Sequence, residues 1–260
     1  MPDLGKLTTE KRNSATMKLD EMTPYEIISI MNREDHNVIE AVHRALPDIE
    51  TAILWATESL RHGGRIIYIG AGTSGRLGVL DAVECPPTFG VPYDMVVGLI
   101  AGGEEAFVKA KEGAEDNQEL GRDDLKNINL CSKDIVIGLA ASGRTPYVIG
   151  ALRYAKEAGC KSVSIACNPE AKVSQEADCA IELITGPEIL TGSTRLKAGT
   201  AEKMVLNMIS TVSMIGIGKV YENLMVDVRQ TNRKLVTRAE NIVMEAVGCQ
   251  REEAKAALQE

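Results

Sequence analysis

Residues 65–75 read RIIYIGAGTSG. In this stretch an apolar run rich in β-branched residues passes directly into a loop of glycines and hydroxyl side chains, and a helical pattern of apolar residues follows the loop. A strand, a glycine-rich turn and a helix in this order form the repeating unit of α/β proteins with a parallel sheet. The stretch therefore predicts the first strand of such a sheet and the loop at its carboxyl end.

The same rhythm continues through the centre of the chain. The five predicted strands are Arg65–Ile69, Met95–Ile100, Asp134–Leu139, Ser162–Ala166 and Ala180–Ile184. Because these runs are nearly uniformly apolar and alternate with helical stretches, we expect each strand to be buried on both faces. The predicted fold is α/β, a three-layer sandwich with a mainly parallel five-stranded sheet and helical N-terminal and C-terminal segments.

Helical patterns lie on both sides of the predicted sheet. Thr23-Pro24 supplies an N-cap and a first-turn proline for a helix that runs to about Asp35, and a longer periodic segment extends from Asn37 to Gly64. An apolar helix is predicted from Ala201 to Leu224. The predicted regions are a helical segment 1–64, a sheet domain 65–225 and a C-terminal helical segment 226–260.

Charge and hydropathy exclude several classes of partner. The 29 basic and 37 acidic side chains give a net charge of -8, which disfavours a nucleic-acid or anionic-membrane surface. No run approaches the roughly 18 apolar residues of a membrane span, and the N-terminus has no apolar signal region. We expect a cytoplasmic protein with no membrane or nucleic-acid partner.

Cysteine and histidine usage gives no sign of a metal site. The 6 cysteines contain no C-x-x-C pair, and the 3 histidines have no Cys or Asp at ligand spacing. This pattern predicts reduced thiols and no bound metal.

Three loops at predicted strand ends combine glycines with hydroxyl side chains. Their candidate binding residues are Gly72, Thr73 and Ser74 in the first loop, Ser142, Gly143 and Thr145 in the second, and Ser193, Thr194 and Lys197 in the third. Hydroxyls and backbone N–H groups at the helix N-termini that follow such loops bind anions. Because the carboxyl ends of parallel strands meet at one edge, we expect one pocket for a phosphate monoester with an attached polyol.

The first loop also matches the G-x-G-x-x-G pattern of dinucleotide-binding proteins. That interpretation requires an acidic residue at the end of the next strand to bind the ribose hydroxyls. Asp94 lies at the start of that predicted strand and Glu104 lies beyond its end. The spacing therefore disfavours a dinucleotide.

These motifs resemble a known family. The first loop with Arg76, the segment Ala141–Pro146 and the stretch from Gly186 to Asn207 resemble the sugar isomerase (SIS) domain of N-acetylmuramic acid 6-phosphate etherases and of their relative, the glucokinase regulatory protein. The further stretches that resemble the etherases rather than the regulator are Thr9–Asn13, Glu34-Asp35, Asp81–Phe89 and Gly113–Asp116. The resemblance is weakest at the C-terminal end, where etherases usually continue for a few more helical turns.

The resemblance implies a lyase of cell-wall recycling. It would remove D-lactate from N-acetylmuramic acid 6-phosphate and leave N-acetylglucosamine 6-phosphate, with no metal or organic cofactor. In the ring-opened sugar the C2 proton lies alpha to an aldehyde, and the lactyl ether on C3 is a beta leaving group. The reaction therefore needs a base for that proton, an acid for the departing oxygen and water that adds at C3.

The resemblance assigns these roles to two carboxyl groups. Glu84 would be the acid that serves the departing lactate, and Glu115 would be the base that handles the C2 proton or the water. We expect Glu84 in the last turn of a helix that Pro86-Pro87 ends, and Glu115 in an acid-rich helical stretch.

Two other functions share this fold and remain open at the level of sequence. One is a regulatory module that senses a sugar phosphate, and the other is an aldose–ketose isomerase, which also needs a carboxylate beside C2. Resemblance to other SIS proteins further implies a homodimer with its active site near the subunit interface.

Overall fold

A computed structural model of the chain describes residues 7–109, 111–230 and 233–259. Its centre is a sheet of 5 parallel strands in the order β2-β1-β3-β4-β5, and a 2-stranded antiparallel hairpin, β6-β7, follows later in the chain. The strands are β1 Ile66–Gly70, β2 Val96–Ile100, β3 Ile135–Leu139, β4 Lys161–Ala166, β5 Cys179–Glu182, β6 Val220–Tyr221 and β7 Leu224–Met225. The predicted α/β class and all five sheet strands are confirmed.

Helices surround the sheet and also form both ends of the described chain. They are α1 Pro24–Glu34, α2 His36–Arg44, α3 Leu46–Arg61, α4 Gly72–Phe89, α5 Glu105–Val108, α6 Gln118–Asn127, α7 Pro146–Glu157, α8 Lys197–Gly216, α9 Arg233–Val247 and α10 Arg251–Ala257. In the described residues before α1, short 3-10 turns lie at Thr8–Glu10, Ser14–Thr16 and Leu19–Glu21.

The alternation of side chains along each strand divides the core into two layers. Ile66 and Tyr68 face one side of the sheet and pack with apolar residues of α2, α3, α4 and α8. Ile67 and Ile69 face the other side and pack with α6 and α7. Since successive strand residues point to opposite faces, one apolar strand serves both layers. The three-layer sandwich is confirmed.

Three predicted helix bounds are wrong for local reasons. The segment from Asn37 to Gly64 is two helices because the chain turns at Ala45, and Pro47 lies in the first turn of α3. Helix α4 continues through Pro86 and Pro87 to Phe89. Burial of Cys85, Pro86 and Phe89 stabilises this last turn although the prolines remove two N–H donors. Gly90, with φ +67°, ends the helix.

Helix α8 is also shorter than predicted. It ends at Gly216 rather than Leu224, and Gly218 follows with φ +83°. A left-handed conformation suits glycine and stops a helix. The hairpin of β6 and β7 occupies the remainder of the predicted helix. The 6 cysteines are free thiols, as predicted.

A buried ion pair joins the amino ends of β1 and β3. The Asp134 carboxylate is 2% exposed and accepts hydrogen bonds from the Arg65 backbone N at 2.9 Å, from Arg65 Nη2 at 2.7 Å and from Cys131 N at 3.0 Å. Burial acts to raise the pKa of Asp134, but the Arg65 and Cys131 hydrogen bonds outweigh it and hold the pKa below its ordinary value.

We expect Asp134→Ala to lower the free energy of unfolding by about 3 kcal/mol, because Arg65 and two backbone N–H groups lose their acceptor. Urea denaturation measures the change. Glu21→Ala, which breaks the exposed Lys18–Glu21 pair, is the control and should change stability by less than about 1 kcal/mol. Since the pKa of Asp134 is lowered, its contribution is present at neutral pH and is lost as pH falls through that value. Equal effects of the two variants would contradict this role for the pair.

Candidate functional site

The loop after β1 leads straight into α4, which starts directly above the end of the strand. A Cβ atom on Gly75 would lie 2.7 Å from the Gly70 carbonyl oxygen and 2.9 Å from Cγ1 of Ile100, so only glycine fits there. Ala71 is the N-cap residue of α4 and supplies no side-chain hydrogen bond to the first turn. The backbone N–H groups of this turn are therefore available to an anion.

At the start of α8, by contrast, backbone N–H groups already donate hydrogen bonds to a side chain of the same chain. Glu188 is fully buried, and its Oε2 and Oε1 accept hydrogen bonds from the backbone N–H groups of Lys197 at 3.1 Å and Ala198 at 3.0 Å. Burial raises the pKa of this carboxyl group even though the two N–H groups favour its charged form. The prediction that the backbone amides at this terminus bind an external anion is wrong. The sequence signal for this cap is an acidic residue 9 positions before the first residue of the helix.

The start of α7 also offers no free backbone N–H group at its first two residues. Pro146 has no N–H, and the Tyr147 N–H donates to the Glu115 carbonyl oxygen at 3.0 Å. In the preceding loop Gly143 has φ +72°, and the Ser142 hydroxyl accepts a hydrogen bond from the Arg144 N–H at 3.4 Å. Thus α4 alone, among the helices that follow the three predicted binding loops, has a first turn without a partner from the described chain.

Ser74 connects the three loops below the surface. Its Oγ lies 3.0 Å from Oε1 of Glu202 on α8, and it accepts a hydrogen bond from the Ala141 N–H at 3.4 Å. Thr73 also approaches α8, since a Cβ on Gly199 would lie 3.5 Å from the Thr73 methyl group. The loops that hold Thr73, Ser142 and Ser193 are therefore neighbours, as the sequence predicted for strand ends of one sheet.

The N-terminal segment, which sequence reasoning did not connect to the site, closes one side of it. The Asn168 side chain donates to the carbonyl oxygens of Ala141 at 3.2 Å and Ser142 at 3.3 Å, and it accepts a hydrogen bond from the Thr8 hydroxyl at 2.8 Å. The Gly192 N–H donates to the carbonyl oxygen of Thr9 at 3.2 Å. Residues before α1 thus hold the second and third loops together.

Lys197 is buried rather than open to solvent. It is 2% exposed, and its ammonium lies 2.7 Å from Oε2 of Glu34, which also accepts a hydrogen bond from Asn13 at 2.9 Å. Burial acts to raise the pKa of Glu34, but Lys197 and Asn13 hold it below its ordinary value. This geometry favours a structural link between α1 and the third loop over direct substrate binding by Lys197. Ser193 and Thr194 are half-buried at the same edge.

Glu115 lies beside the open end of α4. It is exposed and belongs to a turn between α5 and α6, so the predicted helical setting is wrong; glycines and short turns, rather than the acidic run, determine the backbone here. A cavity of about 180 Å³ separates this turn from the first loop. Residues that line it include Ala71, Gly72, Arg76, Lys111 and Glu115.

The structure does not bring Glu84 to this cavity. Glu84 follows Gly72 by 12 residues on α4 and is exposed. At 1.5 Å per residue this separation is about 18 Å along the helix axis, which is longer than a hexosamine phosphate. The predicted helix end beside Glu84 is also wrong, because α4 continues to Phe89.

Over residues 7–109, 111–230 and 233–259, no three His, Cys, Asp or Glu side chains are grouped closely enough to hold a metal ion. Within these ranges no helix has both the length and the apolar character needed to span a bilayer.

Solved structures share the fold of this chain. A phosphoheptose isomerase from Francisella tularensis aligns with a TM-score of 0.57 at 14% identity, covering 75% of this chain and 100% of that one. A phosphoheptose isomerase from Neisseria gonorrhoeae aligns with a TM-score of 0.56 at 12% identity, covering 74% of this chain and 98% of that one. At these identities the likeness concerns the fold alone.

Sequence comparison is more specific. The family description "Glucokinase regulatory protein N-terminal SIS domain" matches residues 48–156, and "SIS domain" matches residues 116–212. An N-acetylmuramic acid 6-phosphate etherase of Lactococcus lactis subsp. cremoris (strain MG1363) is 62% identical over 255 residues, which cover 98% of this chain and 86% of the relative. The Geobacillus sp. (strain WCH70) etherase is 65% identical over 243 residues, which cover 94% of this chain and 82% of that relative. With such identity over nearly its whole length, the chain belongs to the N-acetylmuramic acid 6-phosphate etherase family, and it is an enzyme of the carbon–oxygen lyase class.

Proposed function

We propose that this enzyme cleaves the D-lactyl ether of N-acetylmuramic acid 6-phosphate and yields N-acetylglucosamine 6-phosphate and D-lactate. The observation that carries the proposal is the shared cavity between Glu115 and the open N-terminus of α4. An anion site and a carboxylate base beside it suit a phosphorylated sugar whose C2 proton must be removed. The reaction belongs to cytoplasmic recycling of cell-wall sugars.

The phosphate is assigned to the first turn of α4. Backbone N–H groups at Gly72, Thr73 and Ser74 would receive its oxygens, where the helix dipole favours negative charge. The second and third loops would bind the polyol. Their candidate contacts are Ser142, Gly143, Thr145, Ser193 and Thr194. Lys197 would act through its ion pair with Glu34, which positions the third loop.

Glu115 is assigned to the proton at C2. Its turn is fixed by the hydrogen bond from Tyr147 to its carbonyl oxygen, so the carboxylate is presented from a held backbone. Removal of the C2 proton forms an enolate, and departure of the C3 oxygen with a proton gives the unsaturated aldehyde. Water then adds at C3, and return of a proton to C2 completes the product.

Glu84 is assigned to the departing lactate oxygen, in the cavity of a second subunit. This assignment is supported by the separation of about 18 Å along α4 between Glu84 and the phosphate turn of its own chain. A twofold dimer would place Glu84 of each subunit at the partner's cavity.

Three helices on the side of the sheet that carries α4 have exposed apolar side chains. Leu54 on α3 is 62% exposed, Val83 on α4 is 51% exposed and Ile215 on α8 is 46% exposed. These three helices pack on the same face of the sheet. Apolar side chains exposed together in this way are typical of a contact with another chain. A homodimer that buries this face would explain both the surface and the position of Glu84.

The direct test is incubation of the protein with N-acetylmuramic acid 6-phosphate and measurement of lactate. Release of lactate with formation of N-acetylglucosamine 6-phosphate supports the proposal. Interconversion of an aldose and a ketose phosphate without lactate would instead indicate an isomerase, and sugar-phosphate binding without turnover would indicate a regulatory module. Either result with folded protein would overturn the lyase assignment.

Complementation tests the shared site. We expect Glu84→Ala and Glu115→Ala each to lower kcat by roughly 100-fold to 10,000-fold, because each removes one proton-transfer group. Co-expression of the two variants should restore activity to about a quarter of the wild-type value, since half of the dimers are mixed and each mixed dimer holds one intact site. Lactate release measures both effects.

The control for this experiment is Glu119→Ala, which removes a nearby exposed carboxylate from the first turn of α6 and should leave kcat unchanged. Mixed dimers that stay inactive, although both single variants fold, would show that Glu84 and Glu115 act within one chain or not on one substrate.

Two serine variants, compared with each other, test the placement of the phosphate. Ser74→Ala should weaken binding of N-acetylglucosamine 6-phosphate about 10-fold, because one donor to a charged group is lost. Ser193→Ala should have a smaller effect, since the adjacent α8 terminus is occupied by Glu188. Calorimetric titration of both variants measures the difference. A larger loss in Ser193→Ala would move the phosphate to the third loop.

A further inference from the structure

Glu202 is a buried carboxyl group directly behind the proposed phosphate turn. It lies on α8, is fully buried, and one oxygen, Oε1, is 3.0 Å from the Ser74 hydroxyl. The other oxygen, Oε2, is buried and has no hydrogen-bond partner. A charged carboxylate in this position would have a single partner and would lie behind a bound dianion.

The groups that face Glu202 do not compensate a negative charge. The Cys167 thiol, which follows β4, interacts electrostatically with both Glu202 and Glu188, and burial raises the Cys167 pKa well above its ordinary value. Lys197 acts on Glu188 and pairs with Glu34. In the described part of the chain Glu202 forms no ion pair, and burial raises its pKa to about 8.

The hydrogen bonds of Ser74 depend on the proton of Glu202. A serine hydroxyl has one hydrogen to donate and two lone pairs that accept. If Glu202 is ionised, the Ser74 hydrogen is donated to Oε1. If Glu202 is protonated, the acid donates to Ser74 Oγ, which also accepts from the Ala141 N–H. The Ser74 hydrogen is then free for another acceptor.

We propose that Glu202 is a positioning residue that acts as a neutral acid: it donates its proton to Oγ of Ser74 and thereby frees the Ser74 hydroxyl to donate to the phosphate bound at the first turn of α4. Neutral Glu202 also leaves no buried negative charge behind that phosphate. The inference rests on the proposed function, since it takes Ser74 as a phosphate donor.

Loss of the Glu202 proton therefore weakens phosphate binding. The probe is N-acetylglucosamine 6-phosphate, whose phosphate has a second pKa near 6 and so is fully ionised above about pH 7.5. Between pH 7.5 and 9 the wild-type affinity should fall about 5-fold to 10-fold, in step with ionisation of Glu202. Calorimetric titration across this range gives the profile.

Glu202→Gln provides the conservative test. The amide keeps a donor toward Ser74 and carries no charge, so this variant should bind the probe as the wild type does at pH 7.5 and keep that affinity at pH 9. Asp81→Asn is the matched control, because Asp81 is a buried carboxyl group between α4 and α8 that contacts Asn207 and Ser210 rather than Ser74. The affinity of Asp81→Asn for the probe should fall between pH 7.5 and 9 as the wild-type affinity does.

A double variant separates positioning from general structure. In a Ser74→Ala background, Glu202→Gln should no longer change the pH profile, because the hydroxyl that Glu202 orients is absent. If the wild type and Glu202→Gln show the same dependence of affinity on pH, the inference is overturned. Lactate release by the same proteins would still support the proposed function. No binding by any protein at any pH would overturn the proposed function and the inference together.

Protein stability gives a second measurement that needs no ligand. Because the pKa of Glu202 is raised to about 8 in the folded state, the stability that depends on its proton is fully present below its unfolded pKa, is lost progressively as pH rises through about 8, and changes no further above that. Between pH 6 and 9 the melting temperature of the wild type should fall more than the melting temperature of Glu202→Gln. Parallel curves would mean that Glu202 is already ionised, and the inference would fail.

Discussion

The rest of the structure depends on the close approach of Gly75 to the end of β1. The Gly75 backbone packs against the Gly70 carbonyl with no room for a side chain, so α4 starts directly above the strand. This contact directs the first turn of α4 toward the edge where the second and third loops also end. One steric requirement therefore sets the place of the proposed anion site and the direction of the helix that carries Glu84.

The three binding loops are equivalent in composition but differ in which backbone groups they leave open. Glu188 occupies the start of α8, and the Glu115 carbonyl accepts from the start of α7. Only the first turn of α4 keeps its N–H groups for a ligand among these three helices. The buried Glu188 carboxylate that caps α8 is thus one reason to propose the anion site at α4, because an N–H group that already has a partner is not available to a ligand.

The proposed role of Glu84 would connect catalysis to assembly. A helix is a rigid spacer, and about 18 Å of α4 separates this carboxyl group from the phosphate turn of the same chain. If both carboxylates act on one substrate, the active site forms only when two chains meet. Such a contact between two chains would bury the exposed apolar residues of α3, α4 and α8.

The sequence by itself determined the elements: periodic apolar runs predicted five strands and the α/β class, and glycines with hydroxyls marked the loops of the proposed site. It misjudged α4 at Pro86-Pro87 and the turn at Glu115, because buried packing and glycine turns override local patterns there. Only the tertiary structure decided that Glu188 closes α8, that Glu34 holds Lys197 and that Glu202 lies behind Ser74. These contacts join residues far apart in the chain, and no local periodicity encodes which distant partner a buried polar group will meet.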